Sequence, residues 1–327
     1  MNGESVKPPA PDVRLPGFAD IERAAAHIAG LAHRTPVLTS TYFNDRTGAE
    51  LFFKCENFQK VGAFKFRGAC HAICALTPEQ AARGIITHSS GNHGQAVALA
   101  AAMNGLQAVV VMPKDSARVK LDAVRGYGAE VVLCEPGTTT RQAAVNALIE
   151  RHGYHEIPPY DHPDIIAGQG TAALELLEQV PDLDVIMAPV GGGGLLAGTA
   201  IAARHLKPAI RIIGAEPANA DDAARSFRSG QIEPAAAART IADGLRATLG
   251  VLNFAVIQRH VDDIVTVSEQ AIIDTTRAVW ARMKIIIEPS CAVPLAALLE
   301  GKFDARGKKV GVILTGGNVD IDRFVAG

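Results

Sequence analysis

A lysine between two aromatic rings, a run of four glycines and a polar turn ahead of a helix are where this chain could do chemistry. Lys65 lies in Val61-Gly62-Ala63-Phe64-Lys65-Phe66-Arg67-Gly68. Partial desolvation by Phe64 and Phe66, with repulsion from the Arg67 cation, would favour its neutral amine, which attacks aldehydes. On its own such a lysine could equally be a solvated residue beside a packed aromatic cluster. Gly191, Gly192, Gly193 and Gly194 follow an apolar run and precede a helical one. Residues this small let successive backbone N–H groups converge on one anion, and the helix start adds partial positive charge. A plain turn would not need the entropic cost of four glycines. In Ser89-Ser90-Gly91-Asn92-His93-Gly94 the hydroxyls and backbone donors suit a carboxylate, and Asn92 suits a phenolic oxygen. An ordinary N-cap would need fewer polar residues. Thr315-Gly316-Gly317-Asn318 ends the last apolar run, where Thr315 could face a ring nitrogen.

These motifs need elements to hold them. Short β-type runs are expected at 51–54, 84–88, 108–112, 130–134, 185–189, 211–215, 263–267 and 309–314. Helical patterns fall at 94–104, 143–152, 171–179, 195–205 and 270–284. Several strands, such as VVVM and VGVIL, are continuously apolar, as strands covered on both faces are. This alternation predicts an α/β architecture with largely parallel sheets, whose ligands bind at the carboxyl ends of the strands. The glycine-rich motifs fall at those ends. The stretch 84–152 reads as three βα units, a small domain inserted in a larger one.

Which phosphate the glycines hold has two answers. Gly192, Gly194 and Ala197 match the G-x-G-x-x-G/A dinucleotide fingerprint, and Glu216 lies at about the distance (on the order of 20 residues) of a ribose-binding acid. That would make a nicotinamide-dependent oxidoreductase, but it leaves Lys65 and the Ser89–Gly94 turn idle. Pyridoxal 5'-phosphate, an aldehyde with a phosphate, a phenolic oxygen and a ring nitrogen, engages all four motifs.

The chain has 327 residues, 48% hydrophobic and 20% charged, enough for a sizeable core and too apolar for a mainly disordered chain. A net charge of −2 and 5% aromatic residues argue against a nucleic-acid partner. No apolar run reaches membrane-spanning length, and residues 1–17 read as a loose polar tail without a signal peptide's apolar region. Five scattered cysteines, with no C-x-x-C pair, suggest free thiols in a reducing, cytoplasmic compartment. Cys70 and Cys74, one helical turn apart, read most simply as two buried small residues.

Together FKFRG, SSGNHGQA, PPYDHPDIIAGQGT, PVGGGGLLAG and TGGNVD resemble, in content and order, the serine racemase and serine/threonine dehydratase family of fold type II pyridoxal-phosphate enzymes. The 3-hydroxyaspartate ammonia-lyases within it look closest. The resemblance implies a tryptophan-synthase-β-like fold with two open, largely parallel sheets. A large cofactor domain would comprise 1–77 and 157–327, and a small mobile domain 78–156, in a homodimer. It also implies that Lys65 forms the Schiff base with the cofactor and that Phe64 packs on the ring. Asn92 would meet the ring hydroxyl, Gly191 to Gly194 the phosphate and Thr315 the pyridine nitrogen. Ser90 would be the acid/base on the ring face opposite Lys65, and Ser89, Ser90, Gly91, Asn92 and His93 would bind the amino-acid substrate. Glu216, the Ala220 carbonyl and Asp222 resemble the racemase branch's site for a divalent cation: magnesium, calcium or manganese. The activity implied is β-elimination of water from a β-hydroxy amino acid by an ammonia-lyase, with 3-hydroxyaspartate ahead of serine or threonine. Racemisation of serine or aspartate is the alternative. His155, His162 and Arg141 are candidates for a substrate β-carboxylate.

Overall fold

The computed structural model describes residues 14–89, 91–116, 118–235 and 238–322. Its strands are β1 (Val37–Leu38), β2 (Glu50–Cys55), β3 (Ile85–His88), β4 (Ala108–Pro113), β5 (Glu130–Cys134), β6 (His155–Glu156), β7 (Val185–Pro189), β8 (Arg211–Pro217), β9 (Asp263–Val267) and β10 (Lys309–Leu314). The first seven helices are α1 (Phe18–Ile28), α2 (Thr41–Thr47), α3 (Lys65–Cys74), α4 (Pro78–Ala82), α5 (Asn92–Met103), α6 (Arg118–Gly126) and α7 (Thr138–His152). Six more follow: α8 (Pro163–Gln179), α9 (Gly194–Leu206), α10 (Asp222–Ser229), α11 (Val251–His260), α12 (Glu269–Met283) and α13 (Pro289–Leu299).

Two sheets form. One runs β1-β2-β10-β7-β8-β9, parallel except for the β1–β2 pair, and the other runs β5-β4-β3-β6, parallel throughout. The continuously apolar strands are the ones covered on both faces. Along β7, Ile186 and Ala188 join one core with α8 and α9, while Val185 and Met187 join another with α13. β4 divides similarly, with Val110 and Met112 facing α5 and Val109 and Val111 facing Val145 of α7. The three βα units expected between 84 and 152 are β3–α5, β4–α6 and β5–α7.

Helix α3 lies between the sheets, against α8 on one side and α5 on the other. It meets α8 backbone to backbone: a Cβ on Gly168 would stand 2.6 Å from the Gly68 Cα. On its opposite face α8 meets α9 in the same way, a Cβ on Gly198 lying 2.3 Å from the Ile166 carbonyl oxygen. Contacts this close leave no room for a side chain. Among the described residues no helix is long and apolar enough to cross a membrane.

Candidate active site

A cavity of about 510 Å³ opens at the carboxyl ends of β3, β7 and β10, lined in part by Lys65, Asn92, the four glycines and Thr315. Lys65 reaches it because the preceding loop is fastened to the end of β10. The Phe64 N–H donates to the Thr315 carbonyl (2.9 Å), and the Gly317 N–H to that of Gly62 (2.9 Å). Gly62 has a φ of 67° and packs against Asn318, as a glycine can. Lys65 then starts α3, and its Nζ donates to the Pro159 carbonyl at 2.6 Å and lies 5.3 Å from the Phe64 ring centroid. Burial brings its pKa down to about 8, which puts an appreciable neutral fraction within reach of neutral pH.

The other two expected influences on Lys65 lie elsewhere. Phe66 is buried in the core between α3 and α5. The Arg67 guanidinium, wholly buried, turns away from the cavity to pair with Glu56 at 2.7 and 2.8 Å and with Glu175 at 2.8 and 2.9 Å. Glu175 also accepts from the buried Lys54 ammonium at 2.7 Å. An arginine with two carboxylates across it is spent on structure, so desolvation alone accounts for the lysine.

The glycine run lines the cavity. The Gly192 carbonyl is held from outside by Asn253 Nδ2 (2.6 Å) and the Gly250 N–H (3.0 Å). The N–H groups of Gly191, Gly192 and Gly193 find no acceptor among the described residues. Gly193 takes a φ of 93°, and a Cβ on Gly192 would lie 2.4 Å from Tyr160 Cγ, so the run needs glycine for conformation and for space alike. With α9 starting at Gly194, the converging unpaired donors and the helix start fit a phosphate.

Across the cavity, Gly91 caps α5, and its N–H donates to Ser89 Oγ at 3.1 Å. Ser90 lies outside the described residues. Asn92 Nδ2 donates to the Glu288 carboxylate at 2.9 and 3.2 Å, and Asn92 Oδ1 accepts from Asn318 Nδ2 at 2.8 Å. His93 is buried, bonds the Ile157 carbonyl (3.0 Å) and is kept neutral by burial, its pKa down to about 3. Thr315 is 2% exposed and lines the same space. Of the β-carboxylate candidates only Arg141 lines the cavity, joined by His88. His162 instead accepts from the Asp164 N–H at the start of α8, and His155 lies in β6.

Sequence reasoning missed Glu288, Tyr160 and Pro159. Glu288 is buried at the N-cap of α13, its pKa pushed up to about 7 by burial and by Asp243. Its one sequence signal was an acidic residue followed by proline after the apolar run at 285–287. At the rim, Lys120 of α6 pairs with Asp243 at 2.8 Å.

Glu216 and Asp222 are separate from this cavity. Glu216 is the penultimate residue of β8, its oxygens accepting from the N–H groups of Ala224 (2.6 Å) and Ala223 (3.3 Å), and Asp222 accepts from that of Leu249 (3.0 Å). It therefore does not face the glycine run as a ribose-binding acid would. Burial pushes the two carboxyls up to about 8 and about 6. Among the described residues no cluster of three or more His, Cys, Asp or Glu side chains suits a metal ion.

The chain is similar to known proteins along nearly its whole length. The chain is 47% identical over 311 residues to the L-threo-3-hydroxyaspartate ammonia-lyase of Saccharomyces cerevisiae, covering 95% of each chain. It is 46% identical over 310 residues to the beta-hydroxyaspartate dehydratase of Paracoccus denitrificans, covering 95% of this chain and 98% of that one. The crystal structure of serine racemase from Dictyostelium discoideum superposes with a TM-score of 0.90 at 49% identity, over 93% of this chain and 99% of that one. The sequence profile described as "Pyridoxal-phosphate dependent enzyme" matches residues 28–316, and with the Lys65 amine and the glycine run lining one cavity, the chain belongs to that family.

Proposed function

We propose that this protein is a pyridoxal-phosphate-dependent ammonia-lyase that eliminates water from 3-hydroxyaspartate, giving oxaloacetate and ammonia. One observation carries the reading: the Lys65 amine, its pKa lowered by burial to about 8, opens onto the same cavity as the unpaired N–H groups of the glycine run. The names of the yeast and Paracoccus relatives support the substrate.

Bound pyridoxal phosphate supplies an aldehyde that condenses with amines and a ring that accepts the electrons left when a Cα–H bond breaks. Gly191 to Gly194 and the start of α9 would hold its phosphate, Asn92 would meet its phenolic oxygen, Thr315 its ring nitrogen, and Phe64 would pack on the ring. Glu288 and Asn318 fix the Asn92 amide. The start of α5, with Ser89 to His93, holds the substrate's α-carboxylate, and Arg141 the β-carboxylate. Lys65 Nζ is placed as the base that would take the α-proton of the bound amino acid. That proton and the β-hydroxyl leave together as water, and the released enamine hydrolyses in solution to keto acid and ammonia. We infer that 78–156 moves as a unit against 1–77 and 157–327, closing the cavity around substrate. Glu216, Asp222 and the Ala220 carbonyl would hold a magnesium, calcium or manganese ion completed by water. We extend the reading to a homodimer in the cytoplasm, and the five free thiols support the compartment.

The test is a product assay over the stereoisomers of 3-hydroxyaspartate, serine and threonine, scoring keto acid and inverted amino acid. L-threo-3-hydroxyaspartate should show the highest kcat/KM, and Arg141→Leu should lower that value while sparing serine. Serine preferred over every hydroxyaspartate isomer would overturn the substrate assignment. The likeness to a serine racemase favours racemisation as a second reading, with Ser90 as the base on the opposite face. Ser90→Ala should then remove inversion far more than elimination, whereas equal losses would leave Ser90 a binding role only.

A further inference from the structure

Among the described residues only Val61 and Lys284 hold a positive φ without being glycine. Lys284, at 60°, caps the end of α12. Val61, at φ 56° and ψ 13°, lies four residues ahead of Lys65 and is 8% exposed. A β-branched side chain crowds its own backbone there, so the conformation persists only where the surroundings enforce it. Two contacts do. The valine side chain is packed in the core between α3 and α5. Its carbonyl accepts from Asn318 Nδ2 at 2.7 Å, and the second proton of that amide goes to Asn92 Oδ1 at 2.8 Å. Asn318 is in turn fixed by the pairing of the two loops, with the Gly317 N–H donating to the Gly62 carbonyl and Ala63 bridging to Gly316.

We propose that Asn318 is a positioning residue for Lys65, a role that rests on Lys65 being the amine that meets the cofactor. By pinning the strained Val61 peptide it holds the lysine at the cavity wall with its amine withdrawn from water. Lys65 is the first residue of α3, so no earlier turn of helix steadies it. Its place is set by residues 61–64 before it and by the bond from Nζ to the Pro159 carbonyl. Freed of Asn318, residue 61 returns to a negative φ, a swing of roughly 120° that carries Phe64 and Lys65 away from the end of β10. The valine's packing opposes that swing in part, and the Asn318 bond is made to the strained peptide itself. Since one amide serves Val61 and Asn92 together, the residues set to meet the cofactor's aldehyde and its phenolic oxygen share an anchor and shift together.

The test uses the full-length protein and follows acetylation of Lys65 by limiting acetic anhydride from pH 7 to 10.5, read by peptide mass spectrometry before pyridoxal phosphate is added. In the unaltered protein the midpoint of reactivity should lie near 8. Asn318→Ala should raise it by about one pH unit or more, as the amine reaches water. Asn318→Leu, closer in size and equally without donors, should do the same and serves if the alanine variant does not fold. The titratable groups lining the cavity, His88, His93, Lys120, Arg141, Asp243, Arg246 and Glu288, are unaltered in every variant. Adding Val61→Gly should return the midpoint toward 8, because glycine takes a positive φ freely, whereas a shift carried through Asn92 and Glu288 would not respond to residue 61. Affinity for pyridoxal phosphate, read afterwards by spectrophotometric titration, should follow the same order. A midpoint that stays in place while stability in urea falls, or a shift that Val61→Gly does not diminish, would overturn the proposal. Because the labelling precedes the cofactor, its outcome is independent of the cofactor and substrate assignments.

Discussion

Removing the Lys65 amine should stabilise the cofactor-free protein, by an amount that depends on pH in a defined direction. Burial brings the pKa from 10.5 to about 8. At about 1.36 kcal/mol per pH unit, the folded state would bear a cost of ~3 kcal/mol for holding the charge at neutral pH. The side chain retains some exposure, so solvent screening reduces this to about 2 kcal/mol. Below pH 8 the amine is charged in both states and the full cost is present. From about pH 8 to 10.5 the folded amine sheds its proton while the unfolded chain keeps its own. The unfolded state then binds more protons, and stability rises with pH. Lys65→Met has no such dependence. Urea unfolding of both proteins, stripped of cofactor and followed by circular dichroism from pH 7 to 10.5, should find Lys65→Met ahead by about 2 kcal/mol at pH 7. The gap should close by the top of the range. A gap that stays constant across it would refute the reasoning, because only the slope reports the amine.

The remaining predictions concern the packing beneath the site and the ion beside it. Arg67→Met leaves Glu56 and Glu175 unpaired in the interior and should cost about 3–5 kcal/mol in urea unfolding, with partial recovery when Glu56→Gln is added. Gly192→Ala forces the Tyr160 ring aside and should cost about 1–3 kcal/mol and weaken pyridoxal phosphate binding, read by spectrophotometric titration. Exhaustive chelation should lower the melting temperature and activity. Magnesium, calcium or manganese should restore both in proportion to concentration, and Glu216→Ala should abolish the response. Unchanged melting after chelation would leave the Glu216 loop a structural turn.

The strands that read correctly from sequence did so for a physical reason. β4 and β7 are covered on both faces, so their side chains are apolar without interruption, and the same holds over 212–215 of β8 and 310–314 of β10. β1 and β6, two residues each, are too short to carry any period and are set by their neighbours. α8 starts at Pro163, ahead of the expected Thr171, because Gly168 and Gly170 look like helix breakers in sequence. In the fold they are contact points where neighbouring helices come close enough to repay the lost propensity. The site shows the same division. Lys65, the glycine run, Asn92 and Thr315 sit in contiguous motifs whose local chemistry is visible. Glu288, Pro159 and Tyr160 matter only because remote segments bring them to the cavity. Arg67 was misplaced because a neighbour in sequence need not share an environment, and helix geometry carried its guanidinium to the opposite side.

The two backbone contacts of α8 have a consequence for what the cavity admits. α3 starts at the lysine and α9 at the phosphate cradle, and both are laid against α8 at glycines, with no side chain between them to compress or rotate. The span from amine to anion site is therefore a gauge of fixed length. If Lys65 and the glycine run hold the cofactor as proposed, a phosphorylated aldehyde would have to satisfy both ends at once, and one lengthened by a methylene between ring and phosphate should bind less tightly. The opposite wall has no such rule. Asn92 is joined to Glu288 and Asn318 by side-chain hydrogen bonds, and Lys120 to Asp243 by a rim ion pair, links that rotamers can lengthen or break. Selectivity by length belongs to the cofactor's side of the cavity, and adjustment to the incoming amino acid belongs to the other.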